Sequence, residues 1–172
     1  GQTNKTEFVA LRGGYHGDTL GAMSACDPDT GMHHLFTGIL AKQHFVRRPQ
    51  AKFGEPCAHA DTEEMKTLLS SHHQTIAAVI LEPVVQGAGG MYFYSAEYLA
   101  QVRQLCDEFN VILIADEIAT GFARTGQLFA CHHASIVPDI MCLGKALTGG
   151  YLSLAATLTS DTIAESICRG EG

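Results

Sequence analysis

Two uninterrupted apolar runs, Ile76-Ala77-Ala78-Val79-Ile80-Leu81 and Val111-Ile112-Leu113-Ile114-Ala115, constrain this chain more than any other feature. Both have strand length, and neither alternates with polar residues, which is the pattern of parallel strands buried on both faces. Between them, over residues 95–109, Leu99, Val102, Leu105, Cys106 and Phe109 recur at helical spacing. Ser95 is placed to cap that helix, with Glu97 and Glu108 on its outer side. Strand, helix and strand in this order predict a right-handed βαβ unit.

Weaker signals extend the pattern. Phe8-Val9-Ala10-Leu11 and His44-Phe45-Val46 read as short strands. Residues 61–71 read as a helix capped by Asp61, with Met65, Leu68 and Leu69 facing inward. Ile140-Met141-Cys142-Leu143 reads as a strand ending at Gly144-Lys145. Leu154-Ala155-Ala156-Thr157-Leu158 reads as another, followed by an Asp161-capped helix through Ile167. No internal repeat, low-complexity tract or linker interrupts the series. The expected fold class is α/β, one mostly parallel sheet flanked by helices. With 172 residues, 46% of them hydrophobic, the chain can bury a core without disulfide or metal staples and is too apolar for disorder.

Composition also excludes functions. Eleven Lys and Arg against 18 Asp and Glu give a net charge of -7, the wrong sign for a face that neutralises phosphates, so no nucleic-acid partner is expected. No apolar run approaches the roughly 20 residues that span a bilayer, and no secretory signal pattern is present, so no membrane partner is expected. Six cysteines, at 26, 57, 106, 131, 142 and 168, contain no Cys-x-x-Cys pair. Cys106, Cys131 and Cys142 sit in apolar contexts and read as small core residues. The histidine doublets at 33–34, 72–73 and 132–133 point their rings in different directions, so no metal site is expected. Unpaired cysteines favour a reducing, cytoplasmic compartment. In that compartment the Asn4-Lys5-Thr6 glycosylation tripeptide has no meaning. The chain opens at Gly1 and closes on Cys168-Arg169-Gly170-Glu171-Gly172, and both ends read as cut from something longer.

In open α/β sheets, ligands bind beyond the carboxyl ends of the strands. Glu82 follows the first apolar run, Asp116-Glu117 the second, and Lys145 the Ile140-to-Leu143 run, each about one crossover apart. Glu82, Asp116 and Lys145 should therefore emerge along one sheet edge. A lysine after a strand is commonly a solvated loop residue, and an aspartate there can simply cap a turn. The surroundings weigh against that here, because Gly144-Lys145-Ala146-Leu147-Thr148-Gly149-Gly150 carries no other charge. A desolvated lysine is a nucleophile toward carbonyls, and an aspartate facing it could hold a pyridinium nitrogen protonated. Gly87-Ala88-Gly89-Gly90 lacks the helix start that a dinucleotide loop requires. It reads as a surface turn or as a close backbone approach to a substrate.

Three motifs in order resemble a known family across essentially the whole chain. They are Gly14-Tyr15-His16-Gly17-Asp18-Thr19, Asp116-Glu117-Ile118-Ala119-Thr120-Gly121-Phe122-Ala123-Arg124-Thr125-Gly126 and Leu143-Gly144-Lys145-Ala146-Leu147-Thr148-Gly149-Gly150. Together they resemble the class III, fold-type I pyridoxal-phosphate aminotransferases. Glu82-Pro83, Gln86-Gly87-Ala88-Gly89-Gly90-Met91, Asp139-Ile140-Met141-Cys142 and Ala155-Ala156-Thr157-Leu158-Thr159 extend the similarity. The resemblance implies pyridoxal 5'-phosphate as cofactor, carried covalently by Lys145, which would also move the proton between substrate and cofactor carbons. It implies Asp116 at the pyridine nitrogen, Tyr15 beside the ring and substrate, and Ile118 on the opposite ring face. Arg124 would contact substrate. Glu82, His16 and Asp18 would support the site, the last two by structural hydrogen bonds.

Ala119 refines the resemblance. Many class III members have Gln there, reaching the cofactor's phenolic oxygen; the diaminopelargonate synthases of biotin synthesis have Ala, and this chain is most similar to them. That subfamily implies S-adenosyl-L-methionine as amino donor, 8-amino-7-oxononanoate as acceptor, and a homodimer. Ala123 stands where the subfamily often has Gly. Other class III ω-aminotransferases, or an inactive piece of such an enzyme, are the alternatives. On this reading residues 1–172 form the central part of the cofactor-binding large domain. The family's phosphate-binding loop lies upstream, and its substrate-carboxylate arginine and small domain lie downstream.

Overall fold

The computed structural model describes residues 5–36 and 38–168. Asn4 of the glycosylation tripeptide and the terminal residues Gly1 and 169–172 lie outside them. The strands are β1 (Glu7–Leu11), β2 (His44–Val46), β3 (Ile76–Leu81), β4 (Val85–Gln86), β5 (Tyr92–Phe93), β6 (Ile112–Asp116), β7 (Ile140–Leu143) and β8 (Ala156–Thr159). The α-helices are α1 (Leu20–Ser24), α2 (His33–Phe36), α3 (His59–His72), α4 (Ala96–Glu108) and α5 (Asp161–Cys168). Short 3₁₀ turns cover Ala130–Ala134 and Lys145–Thr148.

Six strands form one sheet in the order β2-β1-β3-β6-β7-β8. All neighbours run parallel except β8, which pairs antiparallel with β7 at the edge. The α/β class and the mostly parallel sheet are as the apolar runs predicted. The chain leaves β1 toward β2 on one side and returns to β3 on the other, so the order reverses at β1 and β3. Helices α3 and α4 bury Met65, Leu69, Leu99, Val102 and Cys106 against Val9, Leu11, Val79, Leu81, Leu113 and Ala115. Tyr94 and Tyr98 meet edge-to-face at 5.8 Å within the same cluster.

Several boundaries differ from the sequence reading, each for an identifiable reason. Ser95 does cap α4, its hydroxyl accepting the Glu97 N–H at 3.3 Å. Asp61 does not cap α3: Ala58 occupies that position, and the Asp61 carboxylate reaches back to the N–H groups of Gln50 and Ala51. A distant partner has taken the local capping role. Asp161 is the first residue inside α5, not a residue before it. Strand β6 runs one residue further than its apolar run, so Asp116 is itself in the ladder, opposite Cys142. Cys142 is only partly buried, whereas Cys106 and Cys131 are core residues as expected. Burial pushes the Cys106 thiol up to about 12 and the Cys131 thiol higher still. Gly87-Ala88-Gly89-Gly90 is the turn between β4 and β5, with Gly90 and Met91 N–H both donating to Gly87 O. Among the described residues no helix is long and apolar enough to cross a membrane.

Candidate active site

The sheet register sets the site. Leu81 lies opposite Ala115, and Asp116 opposite Cys142, so β3, β6 and β7 end nearly level. Their next polar residues, Glu82, Asp116 and Lys145, emerge side by side, as the strand-end spacing implied. The loop after β1 adds Tyr15 and His16 from the other side of the reversal point, where ligands of open α/β sheets bind. A cavity of about 300 Å³ is lined by Tyr15, His16, Glu82, Asp116, Ile118 and Lys145. That is the small end of the range for small-molecule sites.

The acidic wall is tightly bonded. His16 Nδ1–H donates to Asp116 Oδ2 at 2.8 Å, with the two side chains only 2% and 8% exposed. Asp116 Oδ1 accepts the Ile118 N–H at 3.2 Å. A carboxylate has about four lone-pair positions, so Asp116 retains capacity toward the cavity. Glu82 bridges two loops, its Oε1 accepting Tyr15 N–H at 3.0 Å and its Oε2 accepting Gly87 N–H at 2.8 Å. Burial raises the Glu82 pKa, and these two N–H bonds oppose the rise. Glu82 thus ties the Tyr15 loop to the β4–β5 turn. Tyr15 is 40% exposed, and its phenol bonds Asp18, which with partial burial pushes its pKa up.

The lysine wall is different. Lys145 is exposed, so the desolvated lysine expected from its uncharged neighbours is corrected: Gly and Ala beside it supply no cover. Its φ of +44° is a left-handed conformation costly to any residue with a Cβ, and it starts the 3₁₀ turn. Lys145 also borders two larger openings. One, about 880 Å³, includes Met91, Phe93, Ala119 and Arg124; the other, about 800 Å³, includes Tyr151, Leu152 and Leu154. The structure therefore gathers Tyr15, His16, Glu82, Asp116, Ile118 and Lys145 around one cavity. It puts Arg124 on the neighbouring one and holds Asp18 behind Tyr15. Ala119 and Lys145 border both the space that Arg124 lines and the one that Asp116 lines.

Glu117 had no role assigned from sequence and is the most enclosed acid at the site, with 0% exposure. Its carboxylate accepts the N–H groups of Ala130 (3.0 Å) and Cys131 (2.8 Å) and the Thr120 hydroxyl. It pins the start of the Ala130–Ala134 turn and closes the loop that carries Arg124. Adjacent residues at a strand end point opposite ways. With Asp116 facing the cavity, Glu117 has to face the interior, a signal the Asp-Glu pair did contain.

The profile of the aminotransferase class-III family matches residues 1–172. The chain belongs to the class-III aminotransferases. Adenosylmethionine-8-amino-7-oxononanoate aminotransferase of Mycobacterium leprae is 56% identical over 170 residues, covering 99% of this chain and 38% of that protein. The Saccharomyces cerevisiae enzyme of the same name is 40% identical, covering 95% of this chain and 39% of its own length. The crystal structure of that enzyme from Methanocaldococcus jannaschii superposes with a TM-score of 0.84 at 41% identity, covering 95% of this chain and 36% of that one. An amine transaminase from an uncultivated Pseudomonas species, solved in its PLP-bound form, gives 0.83 at 38% identity, covering 98% and 39%. This class-III chain thus spans about two fifths of the length of the relatives it matches.

Proposed function

We propose that the protein containing this chain is a pyridoxal-phosphate-dependent aminotransferase that moves an amino group from S-adenosyl-L-methionine to 8-amino-7-oxononanoate. The observation that carries the reading is Lys145 and Asp116 at the ends of adjacent strands β7 and β6, lining one cavity with Tyr15 and Ile118. The residues fit a flat pyridine ring: a carboxylate with spare acceptor capacity on one wall, a primary amine on another, and an aromatic and a branched aliphatic side chain beside them. When bound, pyridoxal phosphate supplies the electron sink that stabilises a carbanion at the substrate carbon.

The chain's own groups do the rest. Asp116 holds a proton at the ring nitrogen, and His16 Nδ1–H fixes the carboxylate that does so. Lys145 Nζ holds the cofactor and then carries a proton between carbon atoms as general base and acid. Exposure beside the two larger openings leaves Lys145 room to swing between those positions. Tyr15 and Ile118 keep the ring plane, Glu82 keeps Tyr15 in place, and Arg124 meets substrate from the adjoining space. Among the described residues Lys145 is the one Lys or Arg lining the small cavity, and by the family resemblance we assign the phosphate contacts to chain upstream of this segment and the substrate-carboxylate contact to chain downstream. Residues 1–172 are then the central part of the cofactor-binding large domain. The intact enzyme is a homodimer in the cytoplasm, a compartment consistent with six unpaired cysteines.

The similarity to the Mycobacterium leprae and yeast enzymes supports the substrate pair, as does Ala119. The test uses the intact enzyme. It should show a visible absorption band with pyridoxal phosphate that Lys145→Ala abolishes, and adenosylmethionine should bleach that band in a single turnover where simple diamines do not. An unchanged band in Lys145→Ala overturns the role of Lys145, and bleaching by diamines alone overturns the donor.

A further inference from the structure

The β4–β5 turn does more than reverse the chain. Gly89 needs no positive φ, yet a Cβ there would lie 2.1 Å from the Gly13 carbonyl oxygen and 3.1 Å from its carbon. No side chain fits against a backbone at that range, so the requirement at 89 is purely one of space. Gln86, next to the turn and 1% exposed, donates from Nε2 to the Arg12 carbonyl at 3.0 Å. Its Oε1 has no partner and would be 2.9 Å from a Cβ on Gly13. Gly13 itself has a φ of +78° and is followed by Gly14, where a Cβ would lie 2.9 Å from Leu11 O. The next residue is Tyr15. Neither Gln86 nor Gly89 lines the cavity.

We infer that Gln86 and Gly89 are positioning residues for Tyr15: the turn seats on the 12–14 backbone like a wedge and sets how far the Tyr15 ring reaches into the cavity. Two glycines, at 13 and 89, let the backbones touch. Gln86 holds them in register through the Arg12 carbonyl, and Glu82 completes the clamp by accepting the Tyr15 and Gly87 N–H groups. The inference rests on the proposed reading of Tyr15 as a wall of the cofactor site, and it deepens that reading by naming what sets the wall.

The test uses the intact enzyme and two readouts. The first is amide hydrogen exchange over residues 12–17 of the cofactor-free protein. The second is the dissociation constant for pyridoxal phosphate, titrated by absorbance. Gly89→Ala should raise exchange in that segment about tenfold and weaken the cofactor by a similar factor, while Gln86→Leu, which removes a single hydrogen bond, should give about threefold on both. Gly90→Ala is the control. Its φ of +96° strains the same turn, but nothing lies within 4 Å of the added methyl, so exchange at 12–17 should stay at the wild-type rate. If Gly89→Ala fails to fold, Gln86→Leu decides. Unchanged exchange in both variants overturns the clamp, as does an equal rise in Gly90→Ala. Faster exchange with unaltered cofactor affinity overturns the link to the site. If wild type does not bind pyridoxal phosphate, the proposed function fails, and the exchange measurement still decides the clamp.

Discussion

The two sides of the site are built on opposite principles. On the β3–β6 side, Glu82, Asp116 and Glu117 are buried, and each carboxylate has at least two partners. On the β7–β8 side, Lys145 is exposed and strained, and Tyr151 and Leu152 are 95% and 62% exposed. Buried groups with hydrogen-bond partners hold one geometry because breaking those bonds in the interior is costly. Exposed groups on a strained turn are free to change position. The division suits the proposed function, in which one end of the site would hold a ring still while an amine moves at the other.

The largest effect that would break this contrast is on rate. Lys145→Ala should slow transamination by the intact enzyme about a thousandfold while shifting its urea midpoint little, since general acid–base groups contribute about 10²–10⁴ and exposed side chains little stability. Lys145→Gly should be equally inactive but about 1 kcal/mol more stable than Lys145→Ala, because glycine accepts the positive φ. Equal stability of the two would mean that the turn is unstrained.

Glu117→Ala should do the reverse, costing about 3 kcal/mol in urea unfolding by stranding two buried N–H groups and the Thr120 hydroxyl. A cost under about 0.5 kcal/mol would remove Glu117 as the anchor of its loop.

Glu82 gives a finer test through pH. Its pKa is raised on folding by burial, so the folded state holds its proton more tightly than the unfolded one. That contribution is fully present below the ordinary carboxyl value near 4.5 and is lost as pH rises through the raised value. Stability of the wild type should therefore fall over that window relative to Glu82→Gln, in which the decline is absent. Parallel pH profiles would show that Glu82 is not desolvated.

The smallest effect belongs to Ala123, whose φ of +66° lies on the exposed loop. Ala123→Gly should raise the unfolding midpoint by an amount equivalent to about 0.5–1 kcal/mol. A loss of stability would mean that the methyl makes a compensating contact.

The same contrast marks what the sequence made legible. Strands β3, β6 and β7 and helix α4 stood out because their burial repeats at short range, and the strand ends carried Glu82, Asp116 and Lys145 to one edge. Asp61 has the look of a helix cap in the sequence because Gln50 and Ala51, its actual partners, lie outside the helix and leave no trace in the local pattern. Helices α1 and α2, at five and four residues, are too short for a periodicity to register. Lys145 looks desolvated in the sequence for a related reason: its neighbours along the chain are uncharged, but exposure depends on what folds over it. Glu117 was hidden by its partner. One acid at a strand end draws attention to the ligand, and the other is as readily taken for a spare.

The level ending of β3, β6 and β7 has a consequence of its own. Parallel neighbours are about 4.8 Å apart, so the strands bearing Glu82 and Lys145 are separated by two fixed steps, about 10 Å, whatever residues stand at their tips. The sheet edge is a ruler with one graduation per strand. Chemistry can be exchanged at any graduation by a single substitution, while the distances between graduations are held by backbone hydrogen bonds that no side chain controls. Losing one residue within β6, by contrast, would turn every later side chain of that strand to the other face. Asp116 and Glu117 would trade places, and the acid meant for the cavity would be the one locked in the interior.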